Sequence, residues 1–307
     1  MYNFFGDYMT IVFTQVLQLL IFAGIGFALA KGKIVNADHS KLLSALVVYV
    51  FMPATVFKTF SNNFTVQYIK EKYYYMLVGT AVLISVAVAA HFIAKLLSRD
   101  AYERNVYKYS LTVPNSGYMG YALCEAVYGS ATLLNVIIFA LPITVYCYSI
   151  GYCILTKSKL NLKKLLNPPV IAILIGAAFG LSGLTLPSLA EEILTKASSC
   201  LGPVCMLLTG MAVSQFKLTG LLKIPSVYIV TFLRLVAIPC AIALVLSLFC
   251  PKEAILAVIM IYSMPCGLNT IVFPKLVGEN CERGAALALI SHILSCVTIP
   301  LCIYLFG

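Results

Sequence analysis

The feature that most constrains this chain is a series of long, nearly charge-free apolar stretches joined by short loops. Ten can be drawn, over about 9–30, 40–59, 73–97, 106–127, 132–156, 169–186, 197–215, 225–249, 253–276 and 284–306. Eighteen or more consecutive apolar residues carry an α-helix across the hydrocarbon core of a bilayer. At roughly 20 residues each, ten spans leave only short connections in 307 residues, so no soluble catalytic domain fits. Only 10% of residues are charged and 61% are hydrophobic, against about 25% charged in a soluble domain. The expected fold class is an all-α integral membrane protein.

The net charge of +10 would suggest nucleic acid as partner in a soluble chain. Here the basic residues gather on one side of the drawn spans, among them Lys31, Lys33, Lys95, Arg99, Lys157 and Lys159, and thin out on the other to Lys58, Lys70, Lys72, Lys196 and Lys252. Positive-inside topology explains that bias. It places both termini outside, puts linker 157–168 in the cytoplasm and makes the lipid bilayer of the cell membrane the partner, with no role for nucleic acid. Tyr, with 19 copies against no Trp, supplies the interfacial aromatic belt. The eleven Cys form no CxxC pair and no Cys/His cluster, so they read as small hydrophobes within spans. No metal and no cofactor are expected.

Internal symmetry is the next clue. Shifted by about 150 residues, the second half falls on the first: Gly26 meets Gly176, Pro53 meets Pro203, and Pro114 meets Pro265. Repeats of five spans, an odd number, must be inverted in the membrane, the architecture of secondary transporters. The chain then divides into a first repeat at 1–157, a linker at 158–168 and a second repeat at 169–307. Two segments carry the chemistry: Pro114, Asn115, Ser116 and Gly117 in the fourth span, and Pro265, Cys266, Gly267, Asn269 and Thr270 in the ninth. Proline removes a backbone donor and glycine permits unwinding. The freed N–H and C=O groups must face protein or a watery cavity rather than lipid. Half-helix N-termini aimed into such a cavity favour an anion, and Asn115, Ser116, Asn269 and Thr270 add neutral hydrogen-bonding groups.

Ionisable residues within spans mark functional candidates. Arg234, deep in the eighth span, pairs with an acid, bonds the carbonyls of broken helices or attracts a substrate anion; a structural or coupling role is favoured. Glu125 either binds a proton or cation or reaches interfacial water. His91 and His292 either relay protons or pack with satisfied rings. Asp38-His39 reads as a helix cap. No HExxH, paired acidic motif or serine elbow appears, so an enzyme is not expected.

These residues carry a resemblance. Pro114-Asn115-Ser116-Gly117-Tyr118-Met119-Gly120, with Ala126-Val127-Tyr128-Gly129, resembles the fourth-helix motif of the auxin efflux carrier family. Asn167-Pro168, Leu208-Thr209-Gly210-Met211, Arg234 with Pro239, and Pro265-Cys266-Gly267 with Phe273 and Lys275 are similar to further family landmarks. The resemblance implies ten helices in two inverted repeats, with helices 4 and 9 crossing at their prolines. It further implies a scaffold of helices 1, 2, 6 and 7, holding Pro53 and Pro203, and a transport domain of helices 3–5 and 8–10. The implied activity is secondary transport of a small organic anion such as malate or malonate by an elevator motion, with Asn115 as ligand, in a homodimer. A linker of about a dozen residues matches prokaryotic members, and Cys266 stands where plant carriers hold a polar residue, pointing away from auxin. The alternatives are a sodium- or proton-coupled carrier of another solute on this fold, and a non-transporting membrane sensor of a lipid or metabolite.

Overall fold

The computed structural model describes residues 2–160 and 165–307. Residues 161–164, inside the expected linker, and the side chains of 2–9, 37 and 38 lie outside the described residues. The described chain is built of helices: α1 (Tyr2–Lys31), α2 (Ala37–Leu46), α3 (Met52–Asn63), α4 (Val66–Lys72), α5 (Tyr74–Leu97), α6 (Ala101–Thr112), α7 (Tyr121–Tyr146) and α8 (Tyr152–Thr156) form the first half. The second half holds α9 (Pro168–Ser182), α10 (Ser188–Ser199), α11 (Leu201–Ser214), α12 (Leu218–Leu221), α13 (Pro225–Phe232), α14 (Ile238–Leu246), α15 (Lys252–Tyr262), α16 (Asn269–Leu276) and α17 (Glu282–Phe306). Single π-helical turns join α2 to α3, lead into α7, and join α7 to α8 and α13 to α14.

Seven helices among the described residues are long and apolar enough to cross a membrane. The other apolar stretches are shorter or interrupted. One 41-residue helical run, Ser116–Thr156, joins the second half of the stretch drawn at 106–127 to the whole of that drawn at 132–156 and bends at Gly129, whose φ of 78° and ψ of 177° are open essentially to glycine alone. The stretch drawn at 253–276 is two short helices, α15 and α16, and the stretch drawn at 169–186 becomes the 15-residue α9. Hydropathy averages over such breaks, because the broken segments are as apolar as intact ones.

Outward faces are apolar, with Leu96, Leu248 and Tyr49 largely exposed, as lipid contact requires. Helices meet through small residues, the usual means of close approach where the surroundings offer no hydrophobic drive. On α1, a Cβ at Gly26 would lie 2.1 Å from the carbonyl of Leu207 on α11; on α9, one at Gly176 would lie 2.9 Å from that of Phe57 on α3. The two glycines aligned in the sequence thus serve the same purpose in matching helix pairs. Pro53 and Pro203 lie within the helical runs His39–Asn63 and Ser188–Ser214, just after the π turn at Val47–Phe51 and the turn at Cys200, so the regular ladder gives way where each missing N–H falls. Of the cap expected at Asp38-His39, His39 takes part, paired with Asn36, while the Asp38 side chain lies outside the described residues. The Asn36 side-chain oxygen accepts from the His39 N–H at 3.2 Å, and the Asn36 N–H donates to His39 Nδ1 at 3.1 Å.

A crossing of two broken helices as candidate functional site

Pro114 disfavours helical backbone at the residue before it, and Val113 is extended at φ −108°, ψ 107°. Helix α6 therefore stops at Thr112, and the chain resumes helical form at Ser116. In the second half α15 stops at Tyr262 and α16 starts at Asn269. The two breaks meet. Pro114 and Cys266 pair as an antiparallel bridge, and the Asn115 N–H donates to the Pro265 carbonyl at 2.9 Å.

Four half-helix ends converge here, and their orphaned backbone groups have different fates. On the C-terminal side, Arg234, fully buried, donates to the carbonyls of Leu111 at 3.1 Å, Met264 at 3.2 Å and Ile261 at 3.4 Å. Leu111 and Ile261 lie in the last turns of α6 and α15, where the helix dipole is negative. The guanidinium also stacks over Tyr262, 5.3 Å from the ring centre. One cation thus closes both broken ends, and among the described residues no carboxylate is paired with it.

On the N-terminal side, Ser116, Gly117 and Tyr118 open one half-helix, and Gly267, Leu268 and Asn269 lead into the other. All six line a cavity of about 80 Å³. The first N–H groups of a helix have no partner within it; those of Thr270 and Ile271 turn back to the Gly267 and Leu268 carbonyls, which leaves Ser116, Gly117 and Tyr118 of one half and Asn269 of the other bordering the cavity, beside the positive ends of two dipoles. The volume exceeds the roughly 10–15 Å³ that one water needs.

The family described as membrane transport protein matches the chain over residues 11–159 and again over 155–303. The chain belongs to this family. It is the auxin efflux carrier family that the fourth-helix motif resembles. An uncharacterized transporter of Methanocaldococcus jannaschii is 25% identical over 210 residues, covering 65% of this chain and 68% of that protein. Membership makes the chain a multi-pass membrane protein of a transporter family rather than of an enzyme family.

Within this transporter, six of the nine crossover candidates line the cavity: Pro114, Asn115, Ser116, Gly117, Gly267 and Asn269. The other three turn away from it. Pro265 offers its carbonyl to Asn115, and the Cys266 N–H donates to Ser291 Oγ at 2.9 Å. Thr270 Oγ1 donates to the Gly267 carbonyl at 2.9 Å and packs on Gly284 of α17. Asn269 Nδ2 donates to Tyr109 Oη at 3.1 Å and Cys147 Sγ at 3.2 Å, fixing the amide at the cavity wall.

Sequence reasoning missed much of the lining. Tyr121, Thr144, Cys147 and Tyr148 come from the α7 run, Met52 and Val56 from α3, and Asn167 and Val170 from the start of α9. Cys147 and Tyr148 open the π turn at Cys147–Gly151, a feature that no hydropathy signal announces. His292 packs with a satisfied ring, one of the two expected readings: it is buried on α17, its Nδ1 lies 2.6 Å from the Ala288 carbonyl and its Nε2 3.0 Å from Asn115 Nδ2, while His91 is exposed on α5.

Glu125 sits apart from the crossing. One carboxylate oxygen accepts from Lys58 Nζ of α3 at 3.1 Å, and the other from Ser198 Oγ of α10 at 2.5 Å; Ser198 in turn contacts Thr55 at 2.9 Å. A second cavity, of about 400 Å³, opens beside it, lined by Gln15, Gln18, Thr195 and Pro203 among others.

Proposed function

We propose that this protein is a secondary carrier of a small organic anion of the malate or malonate class, moving it across the cell membrane by an elevator motion. The observation that carries the reading is the convergence of two half-helix N-termini on one cavity whose lining, among the described residues, holds no acidic side chain and no lysine or arginine. A carboxylate gains there from backbone donors and dipoles. Arg234 is committed to carbonyls behind the crossing and serves as a clamp, not a ligand.

The rest of the reading follows the same frame. Counting the arms of Ser116–Thr156 separately and each interrupted segment as one span gives ten spans in two inverted repeats, at 1–157 and 169–307. The matched packing of Gly26 and Gly176 supports the pairing of helices 1 with 7 and 6 with 2 as a scaffold, through which two copies would dimerise. Helices 3–5 and 8–10 form the moving part. Both termini lie outside and the linker inside, by the charge bias.

The test is uptake of radiolabelled malonate, malate and indole-acetate into proteoliposomes, under imposed proton or sodium gradients, for the natural chain and Asn115→Ala. Saturable uptake of one acid, reduced at least about tenfold by the substitution, is the expected result. Transport of an acid that Asn115→Ala leaves unchanged refutes the crossing as its site.

A further inference from the structure

Asn115 is held from behind in a way that fixes which end of its amide meets the cavity. His292 Nδ1 lies 2.6 Å from the Ala288 carbonyl. A carbonyl only accepts, so the ring proton of a neutral His292 resides on Nδ1, and Nε2 is left as an acceptor. The group 3.0 Å from Nε2 must then be the Asn115 amide NH2, as drawn. The opposite end, Oδ1, has no protein partner among the described residues, yet it is not one of the sealed, unsatisfied atoms. It opens to the cavity that Asn115 lines. In this state the side chain best placed to touch an anion shows it an acceptor, the wrong polarity.

We infer that His292 is the coupling residue of the carrier: a proton taken up at Nε2 reverses the Asn115 amide, so that the NH2 faces the cavity and proton and anion bind together. Protonated Nε2 becomes a donor and accommodates only Oδ1. The planar amide turns over by half a rotation about its terminal bond, which breaks one hydrogen bond and forms one. The cavity gains a donor, and a positive charge stands one residue behind it. Release of the anion favours return of the proton by the same linkage, since coupling between two sites is reciprocal.

The surroundings make the proton depend on the anion. A third cavity, of about 280 Å³, on the α1 and α11 side of the ring, is lined by Leu20, Phe27, Thr209 and Ala288 among others, with no charged group among the described residues. On the elements packed against α17, the ionisable groups near the crossing are Cys266, whose N–H holds Ser291, Tyr262, and Arg234, already bound to its three carbonyls. The nearest charge along α17 is Arg283, nine residues or about 14 Å away. Arg234 and burial both oppose a second positive charge, and a carboxylate in the cavity offsets them. This inference rests on the anion reading above, and its two halves can be tested separately.

The chain has three histidines, and His39 and His91 are exposed, so His39→Gln with His91→Gln leaves His292 as the sole ring for 15N-histidine NMR in lipid nanodiscs. Without ligand near pH 7.5, the expected spectrum shows Nδ1 protonated and Nε2 bare. On acidification the Asn115 side-chain amide resonance moves together with the ring. A neutral ring protonated at Nε2, or an imidazolium that leaves the Asn115 amide unmoved, overturns the switch. Malonate is the probe for coupling. Its binding is expected to take up a proton and to weaken as the pH rises. His292→Gln should retain binding but lose both dependences. Malonate binding that leaves His292 neutral, or a pH dependence that survives in His292→Gln, overturns coupling while leaving the anion site intact. If malonate, malate and indole-acetate all fail to bind, the anion reading and its coupling fall, and the ligand-free spectra still decide the switch.

Discussion

Replacing Arg234 by methionine keeps most of the stem volume and removes every donor, so it isolates what the guanidinium does. Three buried carbonyls lose their partners, at 3.1, 3.2 and 3.4 Å in the natural chain. A buried polar group left unpaired costs about 1–3 kcal/mol, and the longest of the three bonds is weak by its length. The two shorter ones therefore set a loss of about 2–6 kcal/mol. The variant no longer has to desolvate a charge, which returns part of that, leaving a net destabilisation of about 3 kcal/mol. At about 2–4 °C per kcal/mol for a chain of this order of size, the melting temperature falls by about 6–12 °C. A thiol-reactive coumarin dye suits the measurement. The protein has no Trp to report intrinsically, but Cys124, Cys147, Cys205, Cys266 and Cys302 are free and buried and become reactive only on unfolding. Arg234→Lys should fall between, because a single ammonium cannot reach carbonyls on two separate half-helices as a fork does. If Arg234→Met melts within about 2 °C of the natural chain, the carbonyls have other partners and the clamp is wrong.

Two further outcomes follow from particular contacts. The Lys58–Glu125 pair, with side chains 13% and 20% exposed, should show a coupling of about 1 kcal/mol in a cycle of Lys58→Ala, Glu125→Ala and the double variant, read by the same melting assay; strictly additive changes would mean that the bridge contributes nothing. Gly129→Ala places a Cβ at φ 78° in otherwise open space, so its cost of about 1–3 kcal/mol comes from the backbone alone, and unchanged melting would show that the bend relaxes.

Much of the site was legible because proline and glycine act locally. Pro114 and its counterpart Pro265, about 150 residues later, each stand close to a glycine and an asparagine, and that matched pairing marked the breaks; proline alone does not, since Pro142, Pro274 and Pro300 lie inside helices that continue. The cavity wall was not legible in the same way. Tyr121, Cys147 and Tyr148 read as ordinary apolar helix residues, and Pro265, Cys266 and Thr270, equally prominent in the motifs, turned out to face protein.

Residence in a bilayer, the repeat of the two halves and the breaks at Pro114 and Pro265 can be read along the chain, because hydropathy, repetition and the missing N–H of proline belong to the residues themselves. What each orphaned group meets is set by the packing of the helices. That Arg234 closes two helix ends, that Glu125 bridges to Lys58 and Ser198, and that His292 stands behind Asn115 depend on residues 123, 67, 73 and 177 positions apart. A hydrogen bond acts over about 3 Å, so which donor satisfies which acceptor is set by how the helices pack, and no local pattern in the chain encodes that distance.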